Sequence, residues 1–269
     1  MSILHAIVLG LVQGLTEFFP VSSSGHLAIV PWLFGWDDFG DNESLAKAFD
    51  VALHMGTLGG ALAYFRSDVV RYTRAGLTDP RSHDGRMAWL LLASAVPAAL
   101  VGAVLSDTIN RLDDEIGPIA VMLILFGFVL LAADRLPGRR ETDEFRFRDA
   151  AAMGLGQALA LEPGVSRSGV TISVARAVGF DRDAAARLSF LMSLPIIAGA
   201  GVFSAIDVLG EGGVPSDFWP PFLWGMAASA VTGWVAVWAT LRIVRTRSFL
   251  PFVVYRTALG VLVLVVLAF

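Results

Sequence analysis

Phe19-Pro20-Val21-Ser22-Ser23-Ser24-Gly25 interrupts an apolar stretch that otherwise runs from residue 3 to residue 33. Proline and glycine break a helix, and backbone groups freed in hydrocarbon cost several kcal/mol unless protein or trapped water satisfies them. The stretch therefore reads as a re-entrant helix–loop–helix hairpin with its tip inside the membrane. A second knot, Pro163-Gly164-Val165-Ser166-Arg167-Ser168-Gly169, divides the apolar stretch 149–180 in the same way. At a fixed offset of 144 residues the two superpose without a gap. Gly10 falls on Gly154, Leu11 on Leu155, Gln13 on Gln157, Leu15 on Leu159, Val21 on Val165, Ser22 on Ser166, Ser24 on Ser168 and Gly25 on Gly169. Polar residues take part in the match, which argues against chance similarity between apolar runs.

Around the knots the chain is overwhelmingly apolar. Of its 269 residues 55% are hydrophobic and only 16% charged, against roughly 25% charged in a soluble domain, and the mean hydropathy is +0.67. Six segments read as plain membrane spans: about 49–65, 88–105, 117–134, 188–206, 222–241 and 250–268, each long enough for ~30 Å of hydrocarbon. Each half then holds one hairpin and three spans, an odd number, so the second half is inverted relative to the first. The sequence thus predicts an all-α polytopic membrane protein: six transmembrane helices and two re-entrant hairpins in an inverted-topology repeat. Residues 1–134 and 145–269 are its halves, within one membrane domain. With no cysteine, disulfides, thiolate metal sites and cysteine nucleophiles are excluded. No positive segment precedes the first apolar stretch, so no cleaved signal peptide is expected. A net charge of −4 gives no sign of a nucleic-acid partner.

Basic residues sort the loops. Arg66, Arg71, Arg74, Arg81 and Arg86 share one loop; Arg135, Arg139, Arg140, Arg146 and Arg148 a second; Arg242, Arg245 and Arg247 a third. The intervening loops carry Asp37, Asp38, Asp41 and Glu43, then Asp107, Asp113, Asp114 and Glu115, then Asp207, Glu211 and Asp217. By the positive-inside rule the arginine loops are cytoplasmic and the acidic ones external. With both knotted stretches re-entrant, both termini are external. Trp32, Trp36, Trp219 and Trp224 suit interfacial belts.

Ionisable residues at a span centre cost at least ~2.5–3.5 kcal/mol each, so those present usually serve function. The first hairpin offers Gln13, Glu17, Ser22, Ser23, Ser24 and His26, with Gln13 and Glu17 on one helix face. The second offers Glu162, Ser166, Arg167, Ser168 and Thr171. If the hairpins meet, a carboxylate, an imidazole, a guanidinium and several hydroxyls surround exposed backbone N–H groups. That set suits a phosphate ester. Arginine presents a planar fork to phosphate oxygens, N–H groups at helix N-termini favour anions, and a serine near a histidine can be activated as a nucleophile, or the histidine can itself attack. The carboxylate could orient the histidine or hold a hard divalent cation together with substrate phosphates. Structural readings stand beside these: membrane hydroxyls often bond back to the backbone, Gln13 could link helices, and Glu17 could stay protonated. His5 and His54 lack polar neighbours in sequence and read as structural. Arg176, Arg182 and Arg187 read as snorkelling or headgroup-binding, and Arg256 stays ambiguous.

At these residues the sequence resembles the undecaprenyl-diphosphate phosphatase family of the bacitracin-resistance type. The matching pieces are Gln13-Gly14-Leu15-Thr16-Glu17-Phe18, Pro20-Val21-Ser22-Ser23-Ser24-Gly25-His26-Leu27 and Pro163-Gly164-Val165-Ser166-Arg167-Ser168-Gly169-Val170-Thr171. The resemblance implies a plasma-membrane hydrolase that releases phosphate from undecaprenyl diphosphate at the extracytoplasmic side. The monophosphate carrier then returns to cell-envelope glycan assembly. It implies a divalent cation, Mg2+ or Ca2+, with Glu17 as metal ligand, and is compatible with a homodimer. Carried onto this chain, Glu17, Ser23 and His26 are catalytic and Arg167 holds the diphosphate. Gln13, Ser22, Ser24, Ser166, Ser168 and Thr171 line the substrate pocket. Many members have a glutamate where this chain has Gln13, which puts a two-carboxylate metal scheme from that helix in doubt. Ser23 with His26 as general base, His26 as nucleophile and direct attack by water all remain open. The alternative function is a secondary transporter or lipid flippase, since inverted repeats with broken helices also build transporters. An acid-phosphatase-type lipid phosphatase would need a later His-x-x-x-Asp, and none follows Arg167.

Overall fold

The computed structural model describes residues 1–40, 42–110, 115–210 and 213–269, with side chains for all of these except 105–110, 207 and 209. Of the acidic residues predicted to be external, Asp41, Asp113, Asp114 and Glu211 lie outside the described residues, as do the side chains of Asp107 and Asp207. The described residues form eleven α-helices and no strand, with one isolated bridge between Arg140 and Phe180.

Helix α1 (Ile3–Phe18) starts where Ser2 accepts the His5 N–H at 3.0 Å, satisfying one of the donors that a helix start leaves open. It stops at Phe19, whose backbone is extended (φ −66, ψ 135) because the ring of Pro20 disfavours a helical predecessor. Helix α2 (Ser23–Phe34) follows the first knot and ends on Gly35 in the left-handed region (φ 64), a conformation glycine takes without a Cβ clash. Next come α3 (Glu43–Tyr64), α4 (Arg66–Thr78), α5 (His83–Asn110) and α6 (Ile116–Asp134). Helices α7 (Phe147–Leu159) and α8 (Arg167–Ala177) flank the second knot. Helices α9 (Arg182–Gly210), α10 (Trp219–Val244) and α11 (Leu250–Ala268) complete the fold.

Five stretches, in α5, α6, α9, α10 and α11, are long and apolar enough to cross a membrane. They coincide with five of the six predicted spans, so the chain is a multi-pass, all-helical membrane protein. The sixth predicted span, 49–65, falls in α3. That helix is 22 residues long but is not among those apolar enough to cross; Glu43, Lys47, Asp50 and His54 add to its polarity.

Helix α10 is gripped between α1 and α3 at glycines. A Cβ on Gly10 or Gly14 would run into the backbone carbonyls of Gly225 or Ser229, and one on Gly56 or Gly60 into those of Met226 or Ala230. Without a hydrophobic drive between helices in lipid, such close backbone approach is the main source of adhesion. Helix α7 meets α5 in the same manner: a Cβ on Gly154 would sit 2.6 Å from the Ser94 carbonyl oxygen. Each knotted helix pair is therefore seated on a long helix from the other half of the chain.

The arginines expected to snorkel are tied to protein instead. Arg176 is 5% exposed and donates to the carbonyls of Phe180 (2.6 Å), Leu136 and Asp134. Arg182 pairs with Asp134 at 2.6 Å and Arg187 with Asp68. In the loop before α7, Arg140 clasps Asp149 with both terminal nitrogens (2.9 and 2.5 Å), and those bonds hold its guanidinium above the ordinary value. His5 is structural as expected, stacked 3.9 Å from Trp36 and paired with Asp38 at 2.8 Å.

Candidate active site

The two knots adopt nearly the same backbone. Ser22 (φ 76, ψ 99) caps α2 and Ser166 (φ 75, ψ 109) caps α8, and they are the only non-glycine residues with positive φ among the described residues. Such a conformation costs of order 1–3 kcal/mol and persists where surroundings over-determine it. Here each Oγ accepts the N–H three residues on, from Gly25 at 3.4 Å and Gly169 at 3.1 Å. Each also lies 3.3 Å from the next serine hydroxyl but one, Ser24 or Ser168.

One residue from neither knot holds both together. Arg256 of α11 is fully buried and donates to Pro20 O (3.2 Å) in the first knot and to Gly164 O (2.7 Å) and Val165 O (3.1 Å) in the second. It also reaches Leu123 O of α6 at 2.9 Å. The Pro20, Gly164 and Val165 carbonyls lie in the two breaks, and the guanidinium fork answers several acceptors at once. Ser168 adds a crossing bond, donating to Phe19 O at 3.1 Å.

Glu17, 6% exposed, sits where the knots converge. Its Oε2 accepts from Gln13 Nε2 at 2.9 Å and from Ser23 Oγ at 2.6 Å, and its Oε1 accepts from Arg167 Nη2 at 2.8 Å. A buried carboxylate needs such charge-assisted partners. The predicted residues Gln13, Glu17, Ser23 and Arg167 are thus one hydrogen-bonded cluster. The remaining Arg167 Nη1 and the Gln13 Oε1 are buried without a protein partner.

Other expectations need correction. Ser23 and His26 are not paired. The imidazole folds back along α2 so that Nδ1 bonds Ser22 O at 2.6 Å, the usual sweep of a helical side chain toward its own N-terminus. Its Nε2 meets the Tyr255 hydroxyl at 2.9 Å, leaving Ser23 to Glu17. Thr171 turns away from the cluster, donating to Arg167 O (2.7 Å) and meeting Ser189 of α9 at 2.6 Å. Ser166 is spent as a cap. No hydrogen bond or ion pair among the described residues joins Glu162 to the cluster. His54, read as structural, is at the site: its Nδ1 lies 2.8 Å from Asp50 O, and its Nε2 stands 3.5 Å from Glu17 Oε2. The sequence alone leaves Arg256 ambiguous, reads His54 as structural and gives Tyr255 no role. An arginine inside the span 250–268 was the available signal for one of them.

A cavity of about 470 Å³ has Ser24, His54 and Pro163 in its wall, and His54 is the wall residue that reaches Glu17. Leu27, Pro31, Trp32 and Phe49 make an apolar side, while Glu43, Lys47 and Asp50 of α3 make a polar one. No three His, Cys, Asp or Glu side chains converge as a metal cage among the described residues. Glu17 and the unpartnered Gln13 Oε1 still offer a charged and a neutral oxygen. That set fits a hard cation only if substrate oxygens complete its shell.

A serine hydroxyl on a buried carboxylate beside a guanidinium, in an all-helical multi-pass protein, is the equipment of an integral membrane hydrolase. The bacitracin resistance protein BacA family matches residues 6–262, and the chain belongs to that family. It is 45% identical to an undecaprenyl-diphosphatase of Nocardioides sp. (strain ATCC BAA-499 / JS614), over 98% of this chain and 96% of that one. The undecaprenyl-diphosphatase of Desulforudis audaxviator (strain MP104C) is also 45% identical, over 97% of each chain. That of Geobacter sulfurreducens (strain ATCC 51573 / DSM 12127 / PCA) is 45% identical, over 97% of this chain and 96% of that one.

Proposed function

We propose that this chain hydrolyses undecaprenyl diphosphate, or a closely related polyprenyl diphosphate, to the lipid monophosphate and inorganic phosphate. This returns the carrier to cell-envelope glycan synthesis. The observation that carries the reading is Glu17, which accepts one hydrogen bond from Ser23 of the first knot and another from Arg167 of the second.

Ser23 Oγ attacks the distal phosphorus while Glu17, already 2.6 Å from that oxygen, takes its proton as general base. The bond from phosphorus to the bridging oxygen breaks, and the electron pair leaves on the lipid monophosphate. Glu17 hands its proton to that departing monophosphate and is a carboxylate again. Water then displaces the phosphoserine, its proton passing to Glu17, which returns a proton to Ser23 Oγ as phosphate departs. Arg167 offers its unpartnered Nη1 to the phosphate oxygens and neutralises charge that develops in the transition state. His26, bound on both nitrogens, braces the turn that presents Ser23. A divalent cation, Mg2+ or Ca2+, held by Glu17 and Gln13 with the substrate, would supply further positive charge at the phosphate oxygens. Purified protein in detergent should release phosphate from a polyprenyl diphosphate and release less after chelation of divalent cations. No release under any cation would overturn the reading.

The finer architecture belongs to the same proposal. Helix pairs α1–α2 and α7–α8 are re-entrant, α3 is the sixth span, and the halves 1–134 and 145–269 are inverted repeats. The site faces outward and both termini are external. The shared backbone of the knots and the arginine-rich loops support this. The chain has no cysteine, so single cysteines at exposed positions report sidedness. In intact cells an impermeant thiol reagent should label Ser216→Cys and spare Arg81→Cys, and the reverse pattern would invert the topology.

A further inference from the structure

Helix α3 carries a polar stripe: Glu43, Lys47, Asp50 and His54 recur at intervals of four, three and four, which places them on one helix face. All four line the cavity whose wall meets the Glu17 cluster through His54. The polarity that sets α3 apart from the five apolar helices is therefore concentrated on the cavity wall. His54 stands at its inner end, 3.5 Å from Glu17. Lys47 lies seven residues toward the start of α3, about 10 Å away along the axis.

Lys47 is the only lysine in the chain. Among the described residues its ion pair is a contact of 3.9 Å with Glu43, between side chains that are 55% and 82% exposed. Such an exposed pair holds little free energy, so the ammonium exchanges it readily for a stronger anion. The acidic Glu43 and Asp50 share the polar wall, and a polyanion entering past them needs a cation to offset the repulsion. A lysine is a point charge on a flexible stem, suited to a phosphate whose exact orientation is not fixed by the reaction.

A lipid diphosphate presents two phosphates in series. With the distal one at Ser23 and Arg167, the one that stays on the lipid has room past His54 in this cavity, whose wall includes Pro31 and Trp32. We propose that Lys47 binds the lipid-proximal phosphate, making it a determinant of preference for prenyl phosphates. The assignment rests on the diphosphatase reading above.

The test uses the full-length protein in detergent, with farnesyl diphosphate for turnover and farnesyl monophosphate for direct binding. Lys47→Met should raise KM about tenfold, the loss expected for one hydrogen bond to a charged group, and should weaken monophosphate binding by the same factor. Lys47→Arg keeps the charge and should restore both to within about threefold of wild type. Equal monophosphate affinity in wild type and Lys47→Met would overturn the assignment. Failure of the wild type to hydrolyse the diphosphate would instead strike the diphosphatase reading, because the binding comparison decides Lys47 without turnover.

Discussion

The first and second knots share a backbone and divide the chemistry. Ser22 and Ser166 hold the same positive φ within one degree, and each caps the helix that follows. At the position after the cap the first knot has Ser23 and the second Arg167, and where the first has Glu17 and His26 the second has Leu161 and Val170. Gln13 and its counterpart Gln157 are both buried with an unpartnered Oε1, yet Gln13 serves Glu17 while Gln157 points at Ser94 O, 3.5 Å away. One turn thus supplies a hydroxyl and a carboxylate, the other a cation. A strained turn is kept twice because it is a good place to present one side chain from a helix start, and which side chain it presents is free to differ.

Substitutions on the two sides of this comparison should differ in size. The largest effect belongs to Ser23→Ala, which should lower kcat by on the order of 10³-fold or more, as removal of a nucleophile does, with substrate binding little changed. A loss of only about tenfold, equal to about 1.4 kcal/mol, would demote Ser23 to a binding contact. Next is Arg167→Lys, expected to cost roughly 10²-fold because charge is kept but the fork is lost. Turnover near wild type there would mean that the second knot supplies only a diffuse field. Gly14→Ala forces a Cβ against the Ser229 carbonyl and Thr232, so α1 must move off α10. We expect a stability loss of about 1–3 kcal/mol, read as a lowered unfolding temperature in detergent, and an unchanged temperature would show the helix contact to be looser than it is drawn. The smallest effects come from the caps. Ser166→Gly loses a side-chain bond but relieves the backbone, and should cost under about 1 kcal/mol, whereas Ser166→Ala keeps the strained φ and should cost about 1–2 kcal/mol. If Ser22 and Ser166 do not rank glycine and alanine in the same order, the two turns are less alike than their angles.

What could be read from the sequence, and what could not, follows from the range of the contacts. The broken stretches, the helix ends at Phe19 and at the caps, and the apolar helices depend on local rules for proline, glycine and hydropathy, and these were legible. Gln13, Glu17, Ser23 and Arg167 could be singled out because polar groups in apolar surroundings are conspicuous, although Glu17 and Arg167 are 150 positions apart. Their orientation could not be read. Whether Ser23 bonds to His26 or to Glu17 depends on rotamers within one turn, and the spacing of three residues favoured the wrong partner. His54 reads as structural because its neighbours in sequence are mostly apolar, while the neighbour that matters, Glu17, is on α1. Tyr255 meets His26 across 229 positions, on a helix with no motif to mark it.

The strap formed by Arg256 has a consequence for biogenesis. Ribosomes deliver Ser23 first, Arg167 some 140 residues later, and the guanidinium that bridges the two knots only with α11. Until that helix arrives, the carbonyls of Pro20, Gly164 and Val165 lack the one donor that bridges the two knots. The contact between the two breaks is therefore completed late, by a single buried side chain of the last helix.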